Sequence, residues 1–125
     1  MNMADELNKQ KVFSTWEESA AVLETDARQG IARAQRLLAM RYLRGRGVPK
    51  DEAIGFYWMQ LAAQQNFARA QLGLGELYEN GTGVARDITL ASHWYHLAAL
   101  QGDPTAKEYL QRLDLQRLAQ PNRLF

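Results

Sequence analysis

The sequence predicts an all-α protein built as a stack of helix pairs, about six helices in all, with two full repeats flanked by half-repeats. Residues 31–66 (IARAQRLLAMRYLRGRGVPKDEAIGFYWMQLAAQQN) and 67–102 (FARAQLGLGELYENGTGVARDITLASHWYHLAALQG) align without a gap, and 15 of the 36 aligned pairs are identical. Unrelated segments of ordinary composition share roughly 2. The identities fall at helical spacing, and a Gly-x-Gly-Val element recurs in phase between two helical stretches.

Within each repeat the first stretch carries Ala34, Leu38 and Tyr42, matched by Ala70, Leu74 and Tyr78. That i, i+4, i+8 spacing is the apolar stripe of an amphipathic helix. Gly45, Gly47 and Val48 then recur as Gly81, Gly83 and Val84. One glycine of each pair can end the helix in the left-handed conformation while the other turns the chain. Asp51 and Asp87 follow as acids at the start of the next helix, where free backbone N–H groups favour them. Trp58, Leu61, Ala62 and Ala63, matched by Trp94, Leu97, Ala98 and Ala99, mark the inward face of that second helix. Its alanines let neighbours approach closely.

The flanks keep the phase. Residues 14–29 are expected to form a lone helix of the second type, with Ser14 and Glu17 as a capping box and Gly30 at the position of Asn66 and Gly102. Asp103-Pro104 opens a helix of the first type over residues 103–119, in which Ala106 and Leu110 continue the repeat phase until Pro121 stops it. The Tyr and the Gly-x-Gly do not return there. Residues 1–13 are expected as a flexible segment before the 14–119 repeat domain, and residues 120–125 as a tail. By helix propensity alone, Gly55, where the second repeat has Ala91, is a local weakness of about 1 kcal/mol.

Composition excludes several classes. With 46% hydrophobic and 23% charged residues, three Trp and five Tyr, the chain can bury a core. Lys plus Arg number 15 against 14 Asp plus Glu, so no global charge points to nucleic acid or an anionic membrane. There is no cysteine, which removes disulfides, thiolate metal sites and cysteine nucleophiles. The N-terminal MNMADELNKQ has charges where a secretory signal carries an apolar core, and no apolar run approaches the ~20 residues that span a bilayer. The expectation is a cytoplasmic protein without membrane insertion.

The pattern A-x-A-Q-x-x-L-(A/G)-x-x-Y-x-x-G-x-G-V-x-x-D followed by W-x-x-L-A-A, present twice, resembles the Sel-one-like repeat, a relative of the tetratricopeptide repeats. The resemblance implies a right-handed α/α solenoid whose concave face is built from the first helix of each pair. It also implies non-enzymatic binding of another protein or peptide: adaptor or scaffold work, or, in some small bacterial members, neutralising a toxin as an immunity-type inhibitor. Carried onto this sequence, the groove positions are Arg33, Arg36, Met40 and Leu43; Arg69, Leu72, Glu76 and Glu79; and Thr105, Glu108, Arg112 and Leu115. The set runs from basic and apolar to acidic, suiting a partner segment of opposite polarity. Without a partner it is a solvated face.

Other constellations have plainer readings. Arg28, Arg33, Arg36, Arg41, Arg44 and Arg46 crowd one stretch, but no aromatic platform is interleaved, so a solvated helix face is preferred to a nucleic-acid patch. His93 and His96 stand three apart with no further ligands nearby, too few for a metal. Ser14, Ser19 and Ser92 have no base placed to activate them, so no catalytic residue is assigned and a small-ligand hydrolase is the weak alternative. No cofactor is expected. The apolar Leu124-Phe125 tip, or the open ends of the solenoid, offer a route to a homo-oligomer.

Overall fold

An aspartate starts the second helix of each pair, and the repeat architecture follows from how the chain is capped. The computed structural model describes residues 16–119. The Ser14 half of the capping box, the N-terminal segment and the Leu124-Phe125 tip lie outside them. Six α-helices follow one another: α1 (Trp16–Arg28), α2 (Ala32–Arg44), α3 (Glu52–Gln64), α4 (Ala68–Asn80), α5 (Ile88–Leu100) and α6 (Pro104–Leu118). Among the described residues there is no strand, and no helix is long and apolar enough to cross a membrane.

Asp51 Oδ1 accepts from the Ile54 N–H and Asp87 Oδ1 from the Leu90 N–H, each at 3.0 Å, which satisfies a donor left free in the first turn. Asp103 does the same for Ala106 at 3.0 Å, with Pro104 in the first turn. At the other ends, α2 and α4 stop at Gly45 (φ 68°) and Gly81 (φ 70°), both left-handed. The turn is then tied back by Asp51 N–H to the Tyr42 carbonyl and Asp87 N–H to the Tyr78 carbonyl, both 2.9 Å. Between repeats the joint is a single left-handed residue: Gly30, Asn66 (φ 63°) and Gly102. Asparagine fills the middle one because its short polar side chain tolerates that region.

Each helix packs on its predecessor and successor, most extensively α2 on α3 and α4 on α5. The core is accordingly a row of clusters along the stack. Trp58 lies beside Ala27, Ala34 and Leu38, and Trp94 beside the cluster holding Ala63, Ala70 and Leu74, which are the same positions one repeat later. Both tryptophans are half-buried, and the alanines around them are buried.

Gly55 is no mere weakness. It is buried where α3 crosses α2, and a Cβ there would lie 2.7 Å from Leu43 Cδ2 and 3.2 Å from the Ala39 carbonyl oxygen. In the second repeat the pair is inverted: Gly75 on α4 faces Ala91 on α5, and a Cβ on Gly75 would lie 3.2 Å from the Ala91 carbonyl oxygen. Each crossing holds one methyl group, supplied by Ala39 in the first repeat and by Ala91 in the second. The lost helix propensity at Gly55 is exchanged for close helix approach.

The repeated glutamines tie neighbouring units together. Gln35 and Gln71 are buried, 5% and 2% exposed, so their amides need partners. Gln35 Nε2 donates to the Ala27 carbonyl of the preceding helix at 3.1 Å and accepts from Gln65 Nε2 at 2.8 Å. Gln71 repeats this, donating to Asn66 Oδ1 at 3.2 Å and accepting from Gln101 Nε2 at 2.8 Å.

Candidate partner-binding groove

Helices α2, α4 and α6, the first of each pair, face a common hollow of about 410 Å³. Arg36, Met40 and Leu43 reach it from α2, Arg69, Leu72 and Glu76 from α4, and Thr105 from α6. These are seven of the groove positions that the family resemblance implied, here lining one hollow from three first-type helices. Arg33 is exposed and does not line this hollow. Glu108, Arg112 and Leu115 line a second, shallower hollow of about 450 Å³ on α6 alone.

Six further residues line the hollow that were not among the anticipated groove positions: Met59, Arg44, Gly73, Leu77, Asn80 and Tyr109. Met59 forms part of the floor from α3, because Gly73 leaves room for it; a Cβ on Gly73 would meet its Sδ at 2.8 Å. Tyr109 stands at the repeat position of Leu37 and Gly73, three unlike residues, so the 36-residue alignment gave it no signal. Arg44 and Asn80 occupy matching last-turn positions of α2 and α4 and likewise had no periodic apolar signal.

Electrostatically the hollow is uneven. Burial, then the neighbouring Arg69, pulls Arg36 below the usual guanidinium value, and Glu76 only partly opposes this. Burial, then the nearby Glu79, pushes Glu76 above the ordinary carboxylate range, against the pull of Arg36 and Arg112. Among the described residues, no hydrogen bond joins Arg36 or Glu76 to another side chain. Both half-buried charges are left facing the hollow.

Glu79 behaves differently. Arg112 grips it in a two-pronged ion pair, Nη1 to Oε2 at 2.6 Å and Nη2 to Oε1 at 2.8 Å, and Tyr95 Oη donates to Oε1 at 2.7 Å. The Arg112 guanidinium also lies 5.1 Å from the Tyr109 ring centroid. Its hydrogen bonds from Arg112 hold Glu79 below the usual carboxylate range, with burial opposing. Of the acids anticipated for the groove, Glu79 is therefore neutralised within the fold, while Glu76 still faces the hollow.

That ion pair has a pH signature. A carboxylate whose folded pKa is depressed contributes stability above its unfolded value, about 4.3, and loses it as pH falls through the folded value. Glu79→Gln is expected to cost about 1–2 kcal/mol at pH 7, kept small because Arg112 is 40% exposed. Urea melts at pH 7 and pH 3 check this: the gap between native protein and variant closes at the acid pH, and a pH-independent gap would show that the charge is not what matters.

The arginine-rich stretch is dispersed. Arg28 pairs with Glu24 at 2.8 Å on α1, Arg41 donates to Ser19 Oγ at 2.7 Å, and Arg36 and Arg44 turn to the hollow. His93 and His96 are exposed on α5, and among the described residues no group of three or more His, Asp or Glu is placed to hold a metal ion.

Helix hairpins stacked at a fixed register, with a charged and apolar hollow shared by their first helices, define an α/α repeat solenoid. The Sel1 repeat model matches residues 32–67 and 68–103, and the chain belongs to the Sel1 repeat family. It is similar in structure to a Sel1 repeat protein from Oxalobacter formigenes, with 48% identity, a TM-score of 0.70, and coverage of 72% of this chain and 68% of that one. It also resembles c5321, a protective antigen of uropathogenic Escherichia coli with the same fold, at 34% identity and a TM-score of 0.72. That likeness covers 74% of this chain but 20% of the antigen. No curated protein matches the chain. Sel1 repeat proteins are in general protein–protein interaction modules, and the family is typically non-catalytic.

Proposed function

We propose that this chain is a non-enzymatic adaptor or scaffold of a bacterial cell that holds a peptide or helix of another protein in the α2–α4–α6 groove. The observation that carries the reading is the shared hollow itself. Three successive first helices supply it, and among the described residues no side chain hydrogen-bonds to its half-buried Arg36 and Glu76. Charged groups held partly out of water in this way favour a complementary partner. The half-buried Met40 and Leu43, over a floor of buried Leu72, give that partner apolar surface to bury.

The test is capture from a bacterial lysate by the immobilised chain, compared with an Arg36→Glu, Met40→Glu variant. Partner recovery is expected to fall by about ten-fold or more, since a reversed charge and a charge on the apolar floor both oppose docking. The variant's melting temperature should stay within about 3 °C of the native value, because both residues are partly exposed surface positions. Equal recovery by both proteins would move the site to another face.

A further inference from the structure

We propose that the hollow between α2, α4 and α6 selects an acidic, apolar peptide segment, with one carboxylate seated between Arg36 and Arg69 and the adjacent aliphatic or aromatic side chain on Met40, Leu43 and Leu72. This rests on the groove reading above and deepens it by naming the partner's chemistry.

The charges lining the hollow are unbalanced. Arg36, Arg44 and Arg69 line it against one acid, Glu76. The next acid along α4, Glu79, is taken by Arg112 and Tyr95 and offers little to a ligand. A bipolar partner, suggested by the sequence of charges along the groove, would find Glu76 alone as its acidic contact in this hollow, against three arginines. What faces it is a net cationic hollow.

Arg36 itself lacks a partner suited to its charge among the described residues. Its guanidinium is partly desolvated and is repelled by Arg69, which Glu76 only partly offsets, and among the described residues no side chain hydrogen-bonds to it. Two guanidiniums facing one space are relieved by an anion that accepts from both, and a carboxylate matches their planar donor geometry. The floor of the hollow is apolar. Met40 and Leu43 are half-buried above the buried Leu72 and Met59, so an apolar side chain of the partner would cover what Met40 and Leu43 leave open. A phosphate backbone would leave that floor uncovered, and Tyr109 is the one aromatic ring lining the hollow, too few for successive bases to stack.

Glu76 gives the proposal its sharpest test. It lies in the same hollow as the incoming carboxylate, so it weakens an acidic ligand and strengthens a basic one. A phage-displayed random library of peptides about twelve residues long is panned on the full chain. Enriched peptides are expected to place Asp or Glu next to Leu, Ile, Met or Phe. A synthetic copy of the leading peptide should bind about ten-fold more weakly to Arg36→Ala or to Arg69→Ala, and more tightly to Glu76→Gln, by fluorescence anisotropy. Thermal melts of the three variants confirm that each is folded.

Enriched peptides rich in Lys or Arg, peptides without charge bias, or weaker binding to Glu76→Gln would overturn the acidic-segment proposal and leave the groove reading intact. Peptides indifferent to all three substitutions, or no enrichment over a bare surface, would overturn both. Displacement of the peptide by single-stranded polyuridylate at equal charge concentration would point to nucleic acid instead and overturn the proposal on those grounds.

Discussion

Truncating Tyr95 to alanine is expected to destabilise the protein by about 3–5 kcal/mol, whereas Tyr95→Phe should cost only about 1–2 kcal/mol. Tyr95 is 0% exposed and heads the fully buried side chains by volume. Its ring fills the space that Gly75 leaves on α4, where a Cβ would come within 2.5 Å, and meets Tyr109 of α6 edge to face at 5.4 Å. Its hydroxyl donates to Glu79, the residue that holds Arg112. One side chain on α5 thus joins α4 to α6. Burial, followed by the hydrogen bond to Glu79, raises its hydroxyl above the usual phenol value, so it remains a donor through the alkaline range. Phenylalanine keeps the ring and loses only that donor, while Arg112 still holds Glu79. Alanine removes both and leaves a void that the helices cannot fully close. Chemical denaturation of the two variants separates the cases, and a melting temperature lower by more than about 12 °C is expected for alanine. Equal costs for the two substitutions would mean that the ring is not what locks α6.

The contrast between Tyr95 and its neighbours shows how much was legible in the sequence. Two aligned repeats reveal what they share, and the shared residues gave the helices, the Gly-x-Gly turns, the Asp caps and the buried alanines. Tyr95 is aligned with Met59, so identity passed over both, although each is buried at the same place in its repeat. They differ because their settings differ: Met59 lies over Gly73, and Tyr95 over Gly75. The Gly55–Ala91 difference was visible, but its cause was not, since the compensating Ala39–Gly75 difference lies on another helix. In the groove, the resemblance to tetratricopeptide-like repeats implied Arg36, Met40, Leu43, Arg69, Leu72 and Glu76 as groove positions, and these six line one hollow. Spacing could not show that Glu79 is engaged from α5 and α6, because that depends on contacts across 16 and 33 residues. The Gln35 and Gln71 links were hidden for a related reason: repetition marked the glutamines, and only their surroundings give them a role.

The second large effect is expected at a turn. Gly83 and Gly102 both have positive φ, 71° and 93°. An alanine at either position therefore carries a left-handed backbone penalty of about 1–2 kcal/mol. Around Gly102 nothing lies within 4 Å of an added Cβ, so that penalty is the whole cost. Around Gly83 an added Cβ would run into the backbone carbonyl of Glu52 and come to 3.1 Å from Phe56 Cβ. Glu52 and Phe56 belong to α3, in the preceding repeat, and Phe56 packs edge to face on Tyr78 at 5.4 Å. The turn after α4 thus rests directly on the first turn of α3, and no side-chain rotation relieves a backbone collision. Relief requires the two repeats to separate, which uncovers part of the interface on which a solenoid's stability depends. Gly83→Ala is accordingly expected to cost about 4 kcal/mol against about 1 kcal/mol for Gly102→Ala. Because the damage sits between repeats, amide exchange should quicken in α3 and α4 of the Gly83 variant while α6 of the Gly102 variant stays protected. Matching melts for the two alanine variants would show that the second glycine of the Gly-x-Gly serves only to turn the chain and does not seat one repeat on the next.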